Sequence, residues 1–267
     1  MKKIILALLF TAVFQANYAQ EYPSIHQQEL EYYNSLNLTT SAQFDSITQF
    51  NGVVSQVKNT RTCALQKIVF GWNPYWMTSQ YQNFQWNLIS DFCYFSYEFV
   101  DSTGAVISSH SFATAASVTT ALNNGKRVHL TTTLFSNHAK FLTNSTAQQT
   151  LITNLISAVK QRGATGINVD FEGVPAAQKT NFTGFMKTLS QRLHDSIPNS
   201  VVSICLPAVD WSSSYDVANM NNDAVSSRNV DLFIIMGYDY YYGGSTTAGP
   251  TDPLYPYQTS STSCLSK

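Results

Sequence analysis

Six short apolar runs, separated by longer polar or amphipathic stretches, organise the chain from about residue 67 onward. Most of them are almost continuously apolar, which is typical of strands that are covered on both faces. The runs read KIVFGW, LISDFCYFSY, RVHLTTTLF, TGINVDFE, SVVSICLPAV and VDLFIIMGYDYY. Because helical segments lie between the runs, the pattern predicts a parallel sheet in an α/β fold.

Two of the intervening segments, residues 145–162 and 178–194, have helical periodicity. Each repeats apolar residues at the spacing that lines one face of a helix. The first face carries Leu151, Leu155, Ile156 and Val159, and the second carries Phe182, Phe185, Met186, Leu189 and Leu193. Gly163 follows the first segment, where a helix C-cap favours glycine.

The alternation of helix and strand is typical of a TIM-type β/α barrel, which needs eight strands and about 250 residues. Only six runs qualify as strands, so we predict an incomplete barrel with about six of the eight strands. We assign this barrel domain to residues 63–267 and expect the natural product to be longer.

Two segments precede the predicted barrel. Residues 1–19 have a basic start, an apolar run and a small-residue end, and we interpret them as a signal peptide. The apolar run is too short to span a bilayer, so we expect no membrane partner and a secreted, periplasmic or cell-surface protein. Residues 20–62 are polar, with a weakly helical stretch at 26–35, and are interpreted as a leader or packing arm.

Charge and cysteine content narrow the choice of ligand. The formal net charge is -1, and the 15 basic and 16 acidic residues are scattered, which argues against a nucleic-acid partner. Aromatic residues make up 13% of the chain and suit either stacking on sugar rings or core packing. The four cysteines have no paired spacing, so we expect no metal site from them; Cys93 and Cys205 lie in strand-like runs and are expected to be buried free thiols.

The fourth run carries the strongest chemical signal. Asn168, Asp170 and Glu172 alternate there with apolar residues, and alternate side chains of a strand point to opposite faces. In a barrel the polar set points inward, with Glu172 nearest the C-terminal mouth, where active sites of this fold lie. Burying unpaired carboxylates costs several kcal/mol each, which favours a functional role. A surface strand with solvated acids, or inward acids that hold a divalent metal, are the alternatives.

This run resembles the catalytic strand of glycoside hydrolase family 18, the chitinase family, whose signature ends in Asp-x-Asp-x-Glu. The resemblance implies that Glu172 is the general acid and that Asp170 steadies the acetamido group of the substrate. Asn168 falls where the signature has its first Asp, and we assign it to substrate binding. The segment GINVDFEGVP is most similar to the branch that includes spore-cortex and other peptidoglycan glucosaminidases.

The sixth run resembles the Met-x-Tyr-Asp strand of the same family. The resemblance implies that Tyr238 is catalytic and hydrogen-bonds the acetamido carbonyl, and that Met236 and Asp239 contribute to substrate binding. Trp72 and Trp211 follow predicted strands closely, where they serve either as sugar platforms or in packing.

Together these features predict a monomeric, cofactor-free glycosidase that acts on a polysaccharide. The resemblance implies hydrolysis of β-1,4 linkages in chitin or peptidoglycan, with the acetamido oxygen of the substrate acting as the nucleophile. Two alternatives remain at this point: a non-catalytic glycan-binding lectin on the same barrel, and a barrel enzyme of unrelated chemistry.

Overall fold

The structure is a computed structural model that describes residues 23–54, 65–210 and 212–253. The predicted signal peptide at residues 1–19 and the candidate Trp211 lie outside these ranges.

Six parallel strands form an open half-barrel with the order β1-β2-β4-β5-β6-β7, and β3 pairs antiparallel with β2. The strands are β1 (Phe70–Pro74), β2 (Asp91–Phe99), β3 (Val106–Ser108), β4 (Arg127–Leu134), β5 (Gly166–Phe171), β6 (Val201–Pro207) and β7 (Leu232–Met236). All six predicted strands and the incomplete TIM-type barrel are therefore confirmed. The short β3 was not predicted, because its three residues are largely exposed and carry no periodic signal.

Seven α-helices accompany the strands in the described part of the chain. They are α1 (Ile25–Ser35), α2 (Ser41–Ile47), α3 (Ala116–Asn123), α4 (His138–Leu142), α5 (Ser145–Arg162), α6 (Lys179–Ser196) and α7 (Val217–Met220). The helices α5 and α6 confirm the two segments with helical periodicity. Asn144 caps α5 by accepting from the N–H of Ala147, and Gly163 ends it with a left-handed φ of 73°. An L-residue with a Cβ is strained in that conformation, which explains the glycine.

The apolar faces of α5 and α6 are buried against the outer side of the sheet, as their periodicity predicted. Phe171 at the end of β5 is central to this contact. Its ring stacks on those of Phe182 and Phe185, with centroid distances of 5.7 and 5.5 Å. Because Phe171 faces outward, its neighbours Asp170 and Glu172 face the interior of the half-barrel.

The described part of the N-terminal segment, residues 23–54, packs on the half-barrel. Its helix α1 confirms the weakly helical stretch in the sequence, and Ser24 caps it by accepting from the N–H of Gln27. Leu30 of α1 and Phe44 of α2 are 5% and 7% exposed and belong to the core. The first turn of α1 lies at the carboxyl end of β5 (see below).

None of the helices in the three described ranges combines the length and the apolar character needed to span a bilayer.

Candidate active site

The two carboxylates predicted from sequence lie side by side at the carboxyl end of β5. Asp170 is 1% exposed and Glu172 is 7% exposed. The N–H of Glu172 donates to the carbonyl of Leu134 at 3.0 Å, so parallel pairing with β4 continues one residue beyond the strand. This pairing preserves the alternation and holds the Glu172 side chain on the same face as Asp170.

Asn168 lies one layer below these acids. Its Nδ2 donates to Ser203 Oγ at 2.9 Å, and its Oδ1 accepts from Trp72 Nε1 and Thr131 Oγ1, each at 3.3 Å. The thiol of Cys205 also donates to Oδ1, at 3.6 Å. Asn168 therefore links β1, β4 and β6 to β5 inside the half-barrel. Its role in substrate binding, and that of Trp72, stays a prediction.

A histidine from the N-terminal segment joins the three predicted catalytic residues. The Nδ1 of His26 lies 3.1 Å from Asp170 Oδ2 and 3.3 Å from Glu172 Oε1, where only the contact with Asp170 has hydrogen-bond geometry. Its Nε2 lies 2.9 Å from the hydroxyl oxygen of Tyr238. One imidazole ring thus bridges β5 and the segment that follows β7.

The carboxylates keep this imidazole protonated. Burial by itself lowers the pKa of His26, but the contacts with Asp170 and Glu172 outweigh burial and raise it to about 10. At neutral pH both ring nitrogens carry protons, so Nδ1 donates to Asp170 and Nε2 donates to the oxygen of Tyr238.

Glu172 lies in an electrostatic environment that favours its protonated form. Burial raises its pKa, and the negative charge of Asp170 raises it further. Contacts with His26 and with the hydroxyl of Ser24 act in the opposite direction without cancelling the rise. A raised pKa is what a carboxyl group needs in order to donate a proton to a leaving group.

Two carboxylate oxygens at this site lack a hydrogen bond from any described residue. They are Asp170 Oδ1 and Glu172 Oε1, both of which are buried. Buried polar atoms in native proteins are nearly always hydrogen-bonded. Asp170 Oδ1 is therefore available to a donor on a bound ligand, whereas Glu172 Oε1 lies 3.3 Å from His26 Nδ1.

Tyr238 and Asp239 follow β7 and complete the site. Burial and the nearby negative charge of Asp170 raise the pKa of Tyr238, so its hydroxyl stays neutral. Burial also raises the pKa of Asp239, against the opposing charge of His26 and a hydrogen bond from the backbone N–H of Ile25. Met236 is the last residue of β7 and is partly buried.

The sequence model of glycosyl hydrolases family 18 matches residues 70–266 of the chain. This range includes β5 with both acids and the segment with Tyr238. The chain belongs to glycosyl hydrolases family 18. The resemblance noted in the sequence is thereby confirmed.

Bacterial glycosylases are among the family 18 proteins to which the chain is similar. One relative is YdhD of Bacillus subtilis, named as a sporulation-specific glycosylase; it is 36% identical over 118 residues, which cover 42% of this chain and 26% of YdhD. The crystal structure of YdhD has a TM-score of 0.51 at 28% identity and covers 60% of this chain and 53% of that chain. These relatives and the family match support glycoside hydrolase activity.

A plant chitinase of family 18 shares the fold. The structure of a mutant from Cycas revoluta, in complex with (GlcNAc)4, has a TM-score of 0.60 at 17% identity and covers 71% of this chain and 60% of that chain. The matched regions span less than two thirds of each of these relatives.

Four predicted site residues of this family 18 chain come together: Asp170, Glu172, Tyr238 and Asp239. Sequence reasoning missed His26, because it lies in a polar segment outside the family match and 144 residues from Asp170. No local signal in the sequence connects the two.

Sequence reasoning also missed Tyr215, which hydrogen-bonds to the backbone between Asp170 and Glu172. Its hydroxyl donates to the carbonyl of Phe171 at 2.6 Å. The carboxylate of Asp210 accepts from the N–H groups of Ser214 and Tyr215, which fixes the loop after β6. This loop therefore helps to hold the end of β5 in place.

His26, Asp170 and Glu172 also form a group whose ligand atoms lie within 4.8 Å of one another, close enough for a metal site. This group therefore fits the divalent-metal site that the sequence analysis gave as an alternative. The hydrogen bond between His26 and Asp170 also accounts for the arrangement.

Proposed function

We propose that this chain is a glycosidase that hydrolyses β-1,4 linkages in N-acetylglucosamine-containing polysaccharide by substrate-assisted, retaining catalysis. The observation that carries the proposal is the pairing of two buried carboxylates in different environments. Glu172 has a raised pKa, and Asp170 presents a buried oxygen with no described hydrogen-bond donor.

In the proposed reaction, the proton of Glu172 passes to the glycosidic oxygen as the bond to the anomeric carbon breaks. The acetamido oxygen of the same sugar attacks that carbon, so the substrate supplies its own nucleophile. Asp170 Oδ1 accepts from the acetamido N–H, and Tyr238 donates its hydroxyl to the acetamido oxygen. Water then opens the cyclic intermediate with Glu172 as the base, which returns the proton to Glu172.

The proposal also concerns which polymer is the substrate. YdhD is named for a sporulation-specific glycosylase and the Cycas enzyme is a chitinase, so the relatives support both peptidoglycan and chitin as candidates. Both polymers lie outside the cell membrane, and the signal-like residues 1–19 support export to that compartment.

The test incubates the protein separately with acetylated chitooligosaccharide, with fully deacetylated chitooligosaccharide and with purified peptidoglycan. The soluble products are then identified by mass spectrometry. We expect cleavage of acetylated substrates alone, because a deacetylated sugar has no internal nucleophile. Glu172→Gln should lower turnover at least about 100-fold while binding persists, whereas Glu29→Gln on the exposed face of α1 should leave turnover unchanged. Cleavage of the deacetylated polymer would contradict the mechanism, and binding without product release would support a lectin instead.

A further inference from the structure

Three consecutive residues of the N-terminal segment contact all four members of the active site. His26 bonds to Asp170 and to Tyr238 and lies against Glu172. The hydroxyl of Ser24 lowers the pKa of Glu172 and the backbone N–H of Ile25 lowers that of Asp239, so both groups lie close to these carboxyl groups. The first turn of α1 thus covers the groups to which the proposed function assigns catalysis.

The rest of α1 is anchored to the half-barrel beside the site. The ring of Tyr33 stacks on Trp76, with a centroid distance of 4.5 Å and an interplanar angle of 9°. The hydroxyl of Tyr75 donates to Asn34 Oδ1 at 2.7 Å, and Asn34 Nδ2 donates to Glu98 at 3.2 Å. The stack of Tyr33 on Trp76 and the hydrogen bonds of Asn34 fix the direction of α1. The position of the first turn of α1 therefore does not depend on His26 alone.

Helix α2 adds a second anchor. Asp45 accepts from Thr78 Oγ1 at 2.9 Å and from Ser79 Oγ at 2.6 Å, and Phe44 packs edge-to-face on Tyr75. All of these contacts are made to β1 or to the loop that follows it. The segment is therefore seated across the carboxyl end of the sheet.

The imidazole of His26 lies between Asp170 and the Tyr238 hydroxyl, where the proposed reaction places the acetamido group of the substrate. The ring is within hydrogen-bond distance of both Asp170 Oδ2 and the Tyr238 oxygen, so the ring and an acetamido group cannot occupy this position together. A segment that served only in packing would have no need of a charged ring between two buried carboxylates, because such a group costs free energy to desolvate.

We propose that residues 23–35 are an intramolecular ligand of the active site, in which His26 stands where the substrate acetamido group binds, so that substrate must displace the first turn of α1. This inference rests on the proposed function of Asp170, Glu172 and Tyr238. Substrate then binds only to the fraction of molecules in which the turn is released, and its apparent affinity is reduced by that fraction.

Charge makes this contact dependent on pH. The groups that face His26 are Asp170 and Glu172 from β5, Tyr238 and Asp239 after β7, and the ring of Phe95 from β2. The pKa of His26 is raised from 6.5 to about 10, so its contribution is fully present below about 6.5 and is lost as the pH rises through about 10.

The experiment measures kcat and KM of the full chain on acetylated chitooligosaccharide for the wild type and His26→Ala. The matched control is Gln27→Ala, whose side chain donates a hydrogen bond to the exposed Glu31. We expect His26→Ala to lower KM roughly 10- to 100-fold, the worth of a hydrogen bond to a charged group, with kcat retained and with Gln27→Ala like the wild type. A KM that is unchanged or higher, or a fall in kcat, would overturn the proposal.

Two further measurements separate this inference from the proposed function. Calorimetric binding of the oligosaccharide to Glu172→Gln and to the double variant with His26→Ala needs no turnover, and we expect the double variant to bind more tightly. The proposed function fails if neither the wild type nor His26→Ala releases product. If the double variant still binds the oligosaccharide more tightly in that case, the proposal that residues 23–35 are an intramolecular ligand is supported. An NMR titration that finds the pKa of His26 near its ordinary 6.5 would refute the contact whatever the activity.

Discussion

At the scale of single residues, the candidate active site contains two carboxyl groups, Asp170 and Glu172, whose surroundings differ. Burial and the charge of Asp170 raise the pKa of Glu172, which favours its protonated form. Asp170 instead carries the hydrogen bond from His26, and its other oxygen has no hydrogen bond from the described residues. The same strand therefore presents a proton donor and a hydrogen-bond acceptor to one ligand.

Replacing Tyr238 with Phe removes the hydroxyl assigned to the acetamido oxygen. Because the hydroxyl holds the acetamido oxygen in position to attack the anomeric carbon, we expect its loss to lower kcat roughly 10- to 100-fold. The measurement is kcat at saturating substrate, where displacement of α1 no longer matters. Tyr32→Phe, at a residue that is 51% exposed, is the control; an unchanged kcat in Tyr238→Phe would remove Tyr238 from the mechanism.

The pH profile reports the charge of His26. Because His26 lowers the pKa of Glu172, its replacement by Ala should raise that pKa, and the protonated acid should persist to higher pH. We expect the basic limb of kcat/KM, which reports the free enzyme, to move upward in His26→Ala. The basic limb of kcat should stay in place, because bound substrate has already displaced the ring. A shift in the opposite direction would show that His26 does not act on Glu172 in this way.

At the scale of secondary-structure elements, β5 is positioned by contacts on its outer face and at its end. Phe171 lies among the rings of α6 and is fully buried, and the carbonyl of the same residue accepts from Tyr215. These contacts hold the backbone between Asp170 and Glu172. Packing on the outside of the sheet thus determines the direction of the acids on the inside.

Replacing Phe171 with Ala should lower the free energy of unfolding by about 3–5 kcal/mol, because a large side chain is lost from a fully buried position. Chemical denaturation measures the change. Val106→Ala, at a residue of β3 that is 52% exposed, should change stability by less than about 0.5 kcal/mol. A Phe171→Ala protein of wild-type stability would contradict the packing seen here.

At the scale of the whole molecule, the N-terminal segment and the half-barrel form one unit. The segment contributes Leu30 and Phe44 to the core and places His26 at the active site. The family 18 model matches residues 70–266, whereas Leu30, Phe44 and His26 lie before that range.

A chelator separates glycosidase chemistry from the metal alternative. We expect EDTA to leave hydrolysis of acetylated oligosaccharide unchanged, because the proposed reaction needs only the proton of Glu172 and the acetamido group. The assay is repeated after Zn²⁺ is added back. Activity that EDTA abolishes and Zn²⁺ restores would favour a metal bound by the His26, Asp170 and Glu172 group.

The sequence by itself determined the six parallel strands, the helices α5 and α6, and the direction of the acids. The apolar runs predicted six strands, and the alternation around Asp170 predicted the inward face of β5, because side-chain direction along a strand follows from a period of two residues. Tertiary structure alone decided what lies against those acids. The contact of His26 with Asp170 joins residues 144 positions apart. The position of α1 depends on contacts with the loop after β1 and with Glu98 of β2, which no local pattern encodes.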